Sequence, residues 1–185
     1  MINEIMLIGI PPVFTERIWV EQLLDHLSAR PSSEIFIPKI QLETNQLVET
    51  NAIYELLVQQ FPKIKHYEVR LPNTNDFYFA PQADSIKGYE FVQKYLQKTG
   101  KELTLYEVNS EINILLSSQF STVINPEYLE KYQEICNIID EQILKTIQKF
   151  VNQPCLFLVD IEHLKHIMAK LNEVVEYRVF DMTYE

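Results

Sequence analysis

The sequence predicts an α/β protein with a largely parallel sheet of about six strands and helices on both faces. Short apolar segments alternate with longer amphipathic ones, which is typical of strands and helices in a parallel sheet. The 185 residues contain no internal repeat and no linker-like segment, so we expect one domain over residues 1–185. Apolar residues make up 46% of the chain and charged residues 23%, as in ordinary folded proteins.

The first half of the chain predicts three strands and two helices. The segment "EIMLIGI" is a short apolar run that ends in a glycine and two prolines, as a buried strand does. Apolar residues at helical spacing follow it, with Thr15 as a possible N-cap, and "SEIFIPKI" contains the second strand. The expected order is strand 4–10, helix 14–30, strand 33–38, helix 47–60 and strand 65–71.

The second half continues the alternation. The segment "SIKGYEFVQKYLQKTG" predicts a helix with Gly100 at its C-cap. The longest predicted helix has Pro126 in its first turn, where proline is favoured. Residues 109–124 favour neither helix nor strand. The remaining expected strands are 102–108, 155–160 and 176–182, with a short helix between the last two.

Charge and composition exclude several classes of function. Binding a phosphate backbone or an anionic membrane surface needs a basic stripe, whereas this chain has net charge −10 and scattered basic residues. Three glycines are too few for a Rossmann fingerprint or a P-loop. We therefore predict no nucleic acid and no nucleotide cofactor of those kinds. No other cofactor is predicted.

Two further observations concern location. The apolar runs are far shorter than the roughly 20 residues of a membrane helix, and "MINEIMLIGI" has an acid and no basic region of a secretory signal. The expected location is the cytoplasm, with no membrane partner. Cys136 and Cys155 form no zinc-type pair and are expected to be buried thiols.

Sites in parallel sheets form outside the carboxyl ends of the strands. The segment at such an end that is richest in potentially catalytic side chains is "CLFLVDIEHLKHI", where Asp160 closes a strand and two histidines follow. We interpret Asp160 as the N-cap of the next helix. His163 and His166 would share a helix face, but the acid between paired metal-binding histidines is missing, so we predict no metal and two satisfied, partly exposed side chains. The catalytic alternative uses His163 with Asp160 or Glu162.

The loop "PNTNDFYFAPQAD" indicates a contact surface. It holds Phe77, Tyr78 and Phe79 in succession, next to Asp76. Three adjacent aromatic rings diverge and do not all enter one core. We therefore expect at least one of them to bind a protein partner or a second copy of the chain.

Both ends of the chain resemble the TraB/Tiki superfamily. The residues are "IMLIGIPP" with "ARPSSEIFIP", and "IIDEQILKTIQKFVNQPCLFLVDIEHL" followed by "EYRVF". That family places Gly-x-x-His after two strands and is considered to contain metal-dependent peptidases or related hydrolases. Here Gly9 and His163 match, whereas Pro12 replaces the first histidine, Asp160 the second glycine, and Pro38 stands near the expected glutamate. The resemblance implies a relative without that activity, a pseudoenzyme.

A second resemblance is to CARF domains, Rossmann-like sensors of cyclic oligoadenylates. "GIPPVFTERIW" followed by "SEIFIP" is similar to their start, and "NTND" and "YEVNSE" lie near the positions of their ligand loops. Their Gly-Gly-Thr-Lys-like signature is missing at 109–113.

Three hypotheses follow from the sequence. The first is a non-catalytic protein that acts through contacts, as a subunit of a complex or a homo-oligomer. The second is a hydrolase that uses His163, and the third is a ligand-sensing domain. We favour the first, and with it the interpretation that the protein is not an enzyme.

Overall fold

The computed structural model describes residues 5–11, 17–30, 33–45, 47, 52–72, 94, 97–101, 103–110, 126–150, 152–171 and 177–179. Within these ranges, only the backbone is described at 126–129, 131, 132, 162, 178 and 179. The elements are β1 (Ile5–Ile10), α1 (Arg17–Ser28), β2 (Glu34–Leu42), α2 (Ala52–Gln60), β3 (Lys65–Leu71), α3 (Leu105–Val108), α4 (Pro126–Lys149), β4 (Cys155–Asp160), α5 (Ile161–Leu171) and β5 (Tyr177–Val179).

The five strands form one parallel sheet in the order β3-β2-β4-β1-β5. The predicted α/β class and the parallel arrangement are therefore confirmed. Each of the five lies within a predicted strand to within a few residues, except that β2 continues to Leu42 instead of turning into a loop at Pro38. The predicted long helix is α4, and Pro126 is its first residue.

The predicted strand 102–108 is wrong, because residues 105–108 form the short helix α3. The side chain of Thr104 accepts a hydrogen bond from the backbone N–H of Glu107 at 3.1 Å. The Glu107 carboxylate accepts in return from the backbone N–H of Thr104 at 2.9 Å. This reciprocal capping box satisfies two donors that a strand would have paired with a neighbour. It overrides the alternating apolar spacing of "ELTLYEV".

Two smaller predictions differ in extent. Leu47, expected in the second helix, forms an antiparallel bridge with Gln41 instead, and the described part of that helix begins at Ala52. Gly100 follows the helical residues 97–99 and has φ of 67°, as a C-cap glycine should.

Different helices cover the two faces of β1. The Sδ atom of Met6 lies 3.0 Å from Nε2 of His26 in α1. A Cβ atom on Gly9 would lie 2.9 Å from Cδ2 of Leu164 in α5. Strand side chains alternate between faces, so Met6 and Gly9 point in opposite directions and α1 and α5 lie on opposite sides. Gly9 is the point where β1 approaches α5 too closely for a side chain.

The core consists of the strands and the inner faces of these helices. All six residues of β1 are buried, and the Phe36 ring of β2 stacks on Phe157 of β4 with centroids 4.6 Å apart. Burial of each such ring stabilises the fold by about 2 kcal/mol. No helix among the described residues is long and apolar enough to cross a membrane.

Amide side chains bind the backbone at two places along the sheet. Asn109, after α3, accepts from the Gly9 N–H at 2.6 Å and donates to the Gly9 carbonyl at 3.0 Å. Gln142 of α4 does the same for Arg70 on the outer strand β3, at 2.8 and 2.7 Å. Each amide supplies the donor and acceptor of a neighbouring strand, which leaves those backbone groups satisfied.

Candidate functional site

The strands β2 and β4 separate at their carboxyl ends. They pair from Glu34–Phe36 to Cys155–Phe157, after which the pairing of β2 continues with β3 and that of β4 with β1. We call the gap between residues 37–42 and residues 158–160 the strand-end crevice. It lies at the edge of the sheet where parallel α/β proteins place their ligands.

Pro38 explains why the two strands part. The Glu34 N–H donates to the Pro154 carbonyl, and in a parallel ladder every second residue of a strand faces the same neighbour. The N–H at position 38 would therefore donate to the Leu158 carbonyl, but proline has no N–H. The hydroxyl of Tyr67 donates to that carbonyl instead, at 2.8 Å. A buried tyrosine thus satisfies the acceptor that the ladder leaves open.

Asp160 lies at the mouth of the crevice. Its Oδ1 accepts a hydrogen bond from the hydroxyl of Tyr54 in α2 at 3.1 Å, and the residue is partly exposed. Burial of the carboxyl group raises the pKa of Asp160, and nearby His163 and the Tyr54 hydroxyl oppose that shift. Burial and the Asp160 charge raise the pKa of Tyr54 well above its usual value, so the phenol stays protonated and donates.

A second polar cluster joins α4 to α5, and we call it the Asp140 cluster. Nδ1 of His163 lies 2.8 Å from Oδ1 of Asp140, and Nδ1 of His166 lies 3.2 Å from Oδ2. A carboxylate accepts hydrogen bonds and does not donate them, so both Nδ1 atoms carry a proton. Asp140 is 0% exposed and His163 is 4% exposed. The side chain of His166 is 56% exposed.

The predicted catalytic residues lie around these two clusters. Asp160 directly precedes α5, which is the predicted position, but its described side-chain hydrogen bond is to Tyr54, so its role as the N-cap stays a prediction. His163 lies in the first turn of α5, as predicted, but it is buried and not partly exposed, because Asp140 draws it inward. The side chain of Glu162 is not described. Asp76, Phe77, Tyr78 and Phe79 lie outside the described residues.

Three residues of these clusters were missed by the sequence analysis. Tyr54 and Tyr67 carry no signal of their role, because each fits the apolar face of its helix or strand. Asp140 does carry one. It lies three, four and seven residues before Ile143, Leu144 and Ile147, all buried in α4. An acid within an apolar helical stripe indicates a buried carboxylate with a partner.

The donor atoms do not converge on a metal position in the described part of the chain. No group of three or more histidine, cysteine, aspartate or glutamate side chains is placed there to hold an ion. The two Nδ1 atoms are directed at Asp140 and not at a shared point. Cys155 is buried, and burial raises the pKa of its thiol to about 12, so this thiol is a poor nucleophile.

Comparison of the chain with protein-family models, with curated proteins and with solved structures found no match. The resemblances to the TraB/Tiki superfamily and to CARF domains therefore stay predictions.

Proposed function

We propose that this protein is non-catalytic and acts through contacts with a protein partner or with a second copy of itself. In this proposal the chain forms a single domain and is located in the cytoplasm. The closed Asp140 cluster is the observation that carries the proposal. Both oxygens of its carboxylate are occupied by histidines from α5, and His163 is packed inside the contact between α4 and α5. The carboxylate and the two histidines, which are the residues best suited to catalysis, thus hold two helices together.

Other features of the described residues agree with this proposal. Leu47 and Val58 stay 61% and 44% exposed, although large apolar side chains are usually covered. Both lie in the segment from the end of β2 through α2. Cys136 and Cys155 are not joined by a disulfide bond, which suits a reducing compartment. The five strands belong to one sheet, which suits one domain.

The contact surface is tested at the aromatic loop. Replacing Phe77 and Phe79 with Ala should weaken self-association in sedimentation equilibrium and leave the circular dichroism spectrum unchanged. The matched control replaces Gln148 and Lys149 with Ala, two exposed residues at the end of α4, and should change neither. A photo-crosslinking amino acid in place of Tyr78 should capture a protein in cells, whereas the same group at Gln148 should not. The proposal is contradicted if the wild-type protein is a monomer and the two positions give the same amount of crosslinked protein, or none.

The second candidate is a hydrolase that uses His163. The observation in its favour is the 2.8 Å contact to Asp140, because a buried carboxylate that orients an imidazole is the usual support of a general base. The two candidates differ in the effect of His163→Ala. A structural histidine should cost about 2 kcal/mol of unfolding free energy when removed, and His166→Ala, on the exposed ring, should cost far less. Loss of a hydrolytic activity at unchanged stability would favour the enzyme.

The third candidate, a sensor of the CARF type, would bind its ligand at the strand ends. The strand-end crevice suits a ligand only in its position, since it lies at the carboxyl edge of the sheet. Its charge does not suit an anionic oligonucleotide, because Asp160 stands at its mouth. A thermal-shift series with cyclic oligoadenylates tests this candidate directly, and a dose-dependent rise in melting temperature would support it.

A further inference from the structure

The Asp140 cluster places a carboxylate in the protein interior between two histidines. Asp140 is fully buried, and its oxygens accept hydrogen bonds from Nδ1 of His163 and from Nδ1 of His166. No lysine or arginine among the described residues forms an ion pair with it. If both imidazoles were neutral, the cluster would hold a buried negative charge without a countercharge, which is costly. One additional proton on a histidine makes the cluster electrically neutral.

The position of a second acid indicates which histidine holds this proton. Nδ1 of His163 lies 2.8 Å from Asp140, whereas Nδ1 of His166 lies 3.2 Å away. His163 is also close enough to Asp160 for its positive charge to lower the pKa of that carboxyl group. The side chain of His166 is more than half exposed, so water weakens its attraction to Asp140. Burial opposes a charge on His163, but two nearby carboxylates favour it.

The elements around His163 bring these two acids and no described basic group. Helix α5 packs against α4, β1 and β4. Strand β1 is apolar throughout, and β4 ends in Asp160. The described charged side chains of α4 other than Asp140 are exposed, and so are the two lysines of α5. Among the described residues, the charged and imidazole groups that face His163 are therefore Asp140, Asp160 and His166.

We propose that the Asp140 cluster is a pH-sensitive contact between α4 and α5, in which His163 carries a proton on both ring nitrogens at neutral pH. Loss of that proton leaves Asp140 buried without a countercharge and weakens the contact between the two helices. This property adds to the contact function proposed above and does not depend on it.

The direction of the pH effect follows from the two states of the chain. In the unfolded chain the imidazole of His163 releases its proton near its ordinary value of about 6.5. In the folded protein the two acids hold the proton to higher pH. The folded state therefore binds more protons in this interval, and stability falls as pH rises through it. Below the interval the stabilising contribution of the pair is fully present.

NMR of the wild-type protein measures the protonation state directly. At neutral pH both ring ¹⁵N signals of His163 should have the shifts of protonated nitrogens. The chain has four histidines, so the signals of His163 are assigned by elimination with His26→Gln, His66→Gln and His166→Gln. An Nε2 signal with the shift of an unprotonated nitrogen would mean a neutral imidazole and would overturn the proposal, whether or not any variant at Asp140 folds.

Urea unfolding between about pH 6 and about pH 9 measures the consequence for stability. Relative to Asp140→Asn, the unfolding equilibrium constant of the wild-type protein should rise by about tenfold per pH unit while only the folded state keeps the proton. Glu141→Gln removes the same charge from an exposed neighbour and should keep the wild-type slope, as should His166→Gln. Equal slopes for the wild-type protein and Asp140→Asn would overturn the proposal. A slope that is lost in His166→Gln would place the proton on His166 and overturn it as well.

Discussion

Two carboxylates near the carboxyl end of the sheet, Asp140 and Asp160, differ in their burial and in their hydrogen bonds. Asp140 is entirely buried and has a histidine on each oxygen. Asp160 is partly exposed and has one phenol on one oxygen. A fully satisfied buried acid holds its neighbours in one arrangement, whereas a partly exposed acid with one described hydrogen bond constrains them less. The difference separates a cluster that joins two helices from a carboxylate that keeps contact with solvent.

Removal of Asp140 should have the largest effect on stability. Asp140→Ala leaves the imidazole of His163 buried without its acceptor and breaks the link between α4 and α5. We expect a loss of about 3 kcal/mol in the free energy of unfolding, because the change removes both hydrogen bonds of the carboxyl group and leaves a buried Nδ1 without its partner. Urea denaturation followed by circular dichroism measures it.

Glu141→Ala is the control for this change, because Glu141 is the exposed neighbour of Asp140 on the same helix. It should change stability by no more than about 0.5 kcal/mol. If Asp140→Ala costs no more than Glu141→Ala, the Asp140 cluster is not a structural element and the comparison with Asp160 loses its basis.

The next largest effect on stability is expected at the Leu158 carbonyl of the strand-end crevice. Tyr67→Phe leaves the Leu158 carbonyl without its donor and should cost about 1–2 kcal/mol. Pro38→Ala restores an N–H at the position that faces Leu158 in the ladder. In the Tyr67→Phe protein it should therefore recover part of the loss, and more than it gains in the wild-type protein. A double-mutant cycle measures this coupling.

Additive effects in that cycle would contradict the account of the crevice. They would mean that the strands part for a reason other than the missing N–H of Pro38. A coupling of the opposite sign would mean that the Tyr67 hydroxyl and the new N–H reinforce each other, each donating to its own lone pair of the Leu158 carbonyl.

The sequence predicts the sheet well and the site only in part. Strands such as β1 and β4 are continuous apolar runs, and burial on both faces makes such runs visible in any α/β chain. The short helix α3 was misread because a four-residue helix has too few turns to show its period, although Thr104 and Glu107 have the spacing of a capping box. The helix α4 has 24 residues, which is long enough to recognise, and Pro126 marks its first turn.

The site depends on pairs that are distant along the chain. His163 and Asp140 are 23 residues apart, and Tyr54 and Asp160 are 106 apart. Spacing reveals contacts within one helix or strand, and not contacts between elements whose packing is unknown. Pro38 illustrates the same limit. Its missing N–H is visible in the sequence, but its consequence depends on β4 as the neighbour of β2, and β4 enters the sheet between β2 and β1.

The smallest expected effect is the contribution of Asp160 to the pH dependence of the unfolding free energy. Burial raises the pKa of Asp160 in the folded protein above its ordinary value of 3.8. The folded state therefore binds the Asp160 proton more tightly than the unfolded state does, and stability falls as pH rises through this interval. Relative to Asp160→Asn, the wild-type protein should gain stability as pH is lowered through the folded pKa, and the gain should be complete below 3.8.

Tyr54→Phe sharpens this last measurement. The Tyr54 hydroxyl favours the ionised carboxylate, so its removal should raise the pKa of Asp160 further and start the gain in stability at a higher pH. The other carboxyl groups are shared between each variant and its partner, so the difference between unfolding curves reports on Asp160 and on its interaction with His163. A difference that decreases on acidification would mean that Asp160 is stabilised as an anion in the free protein.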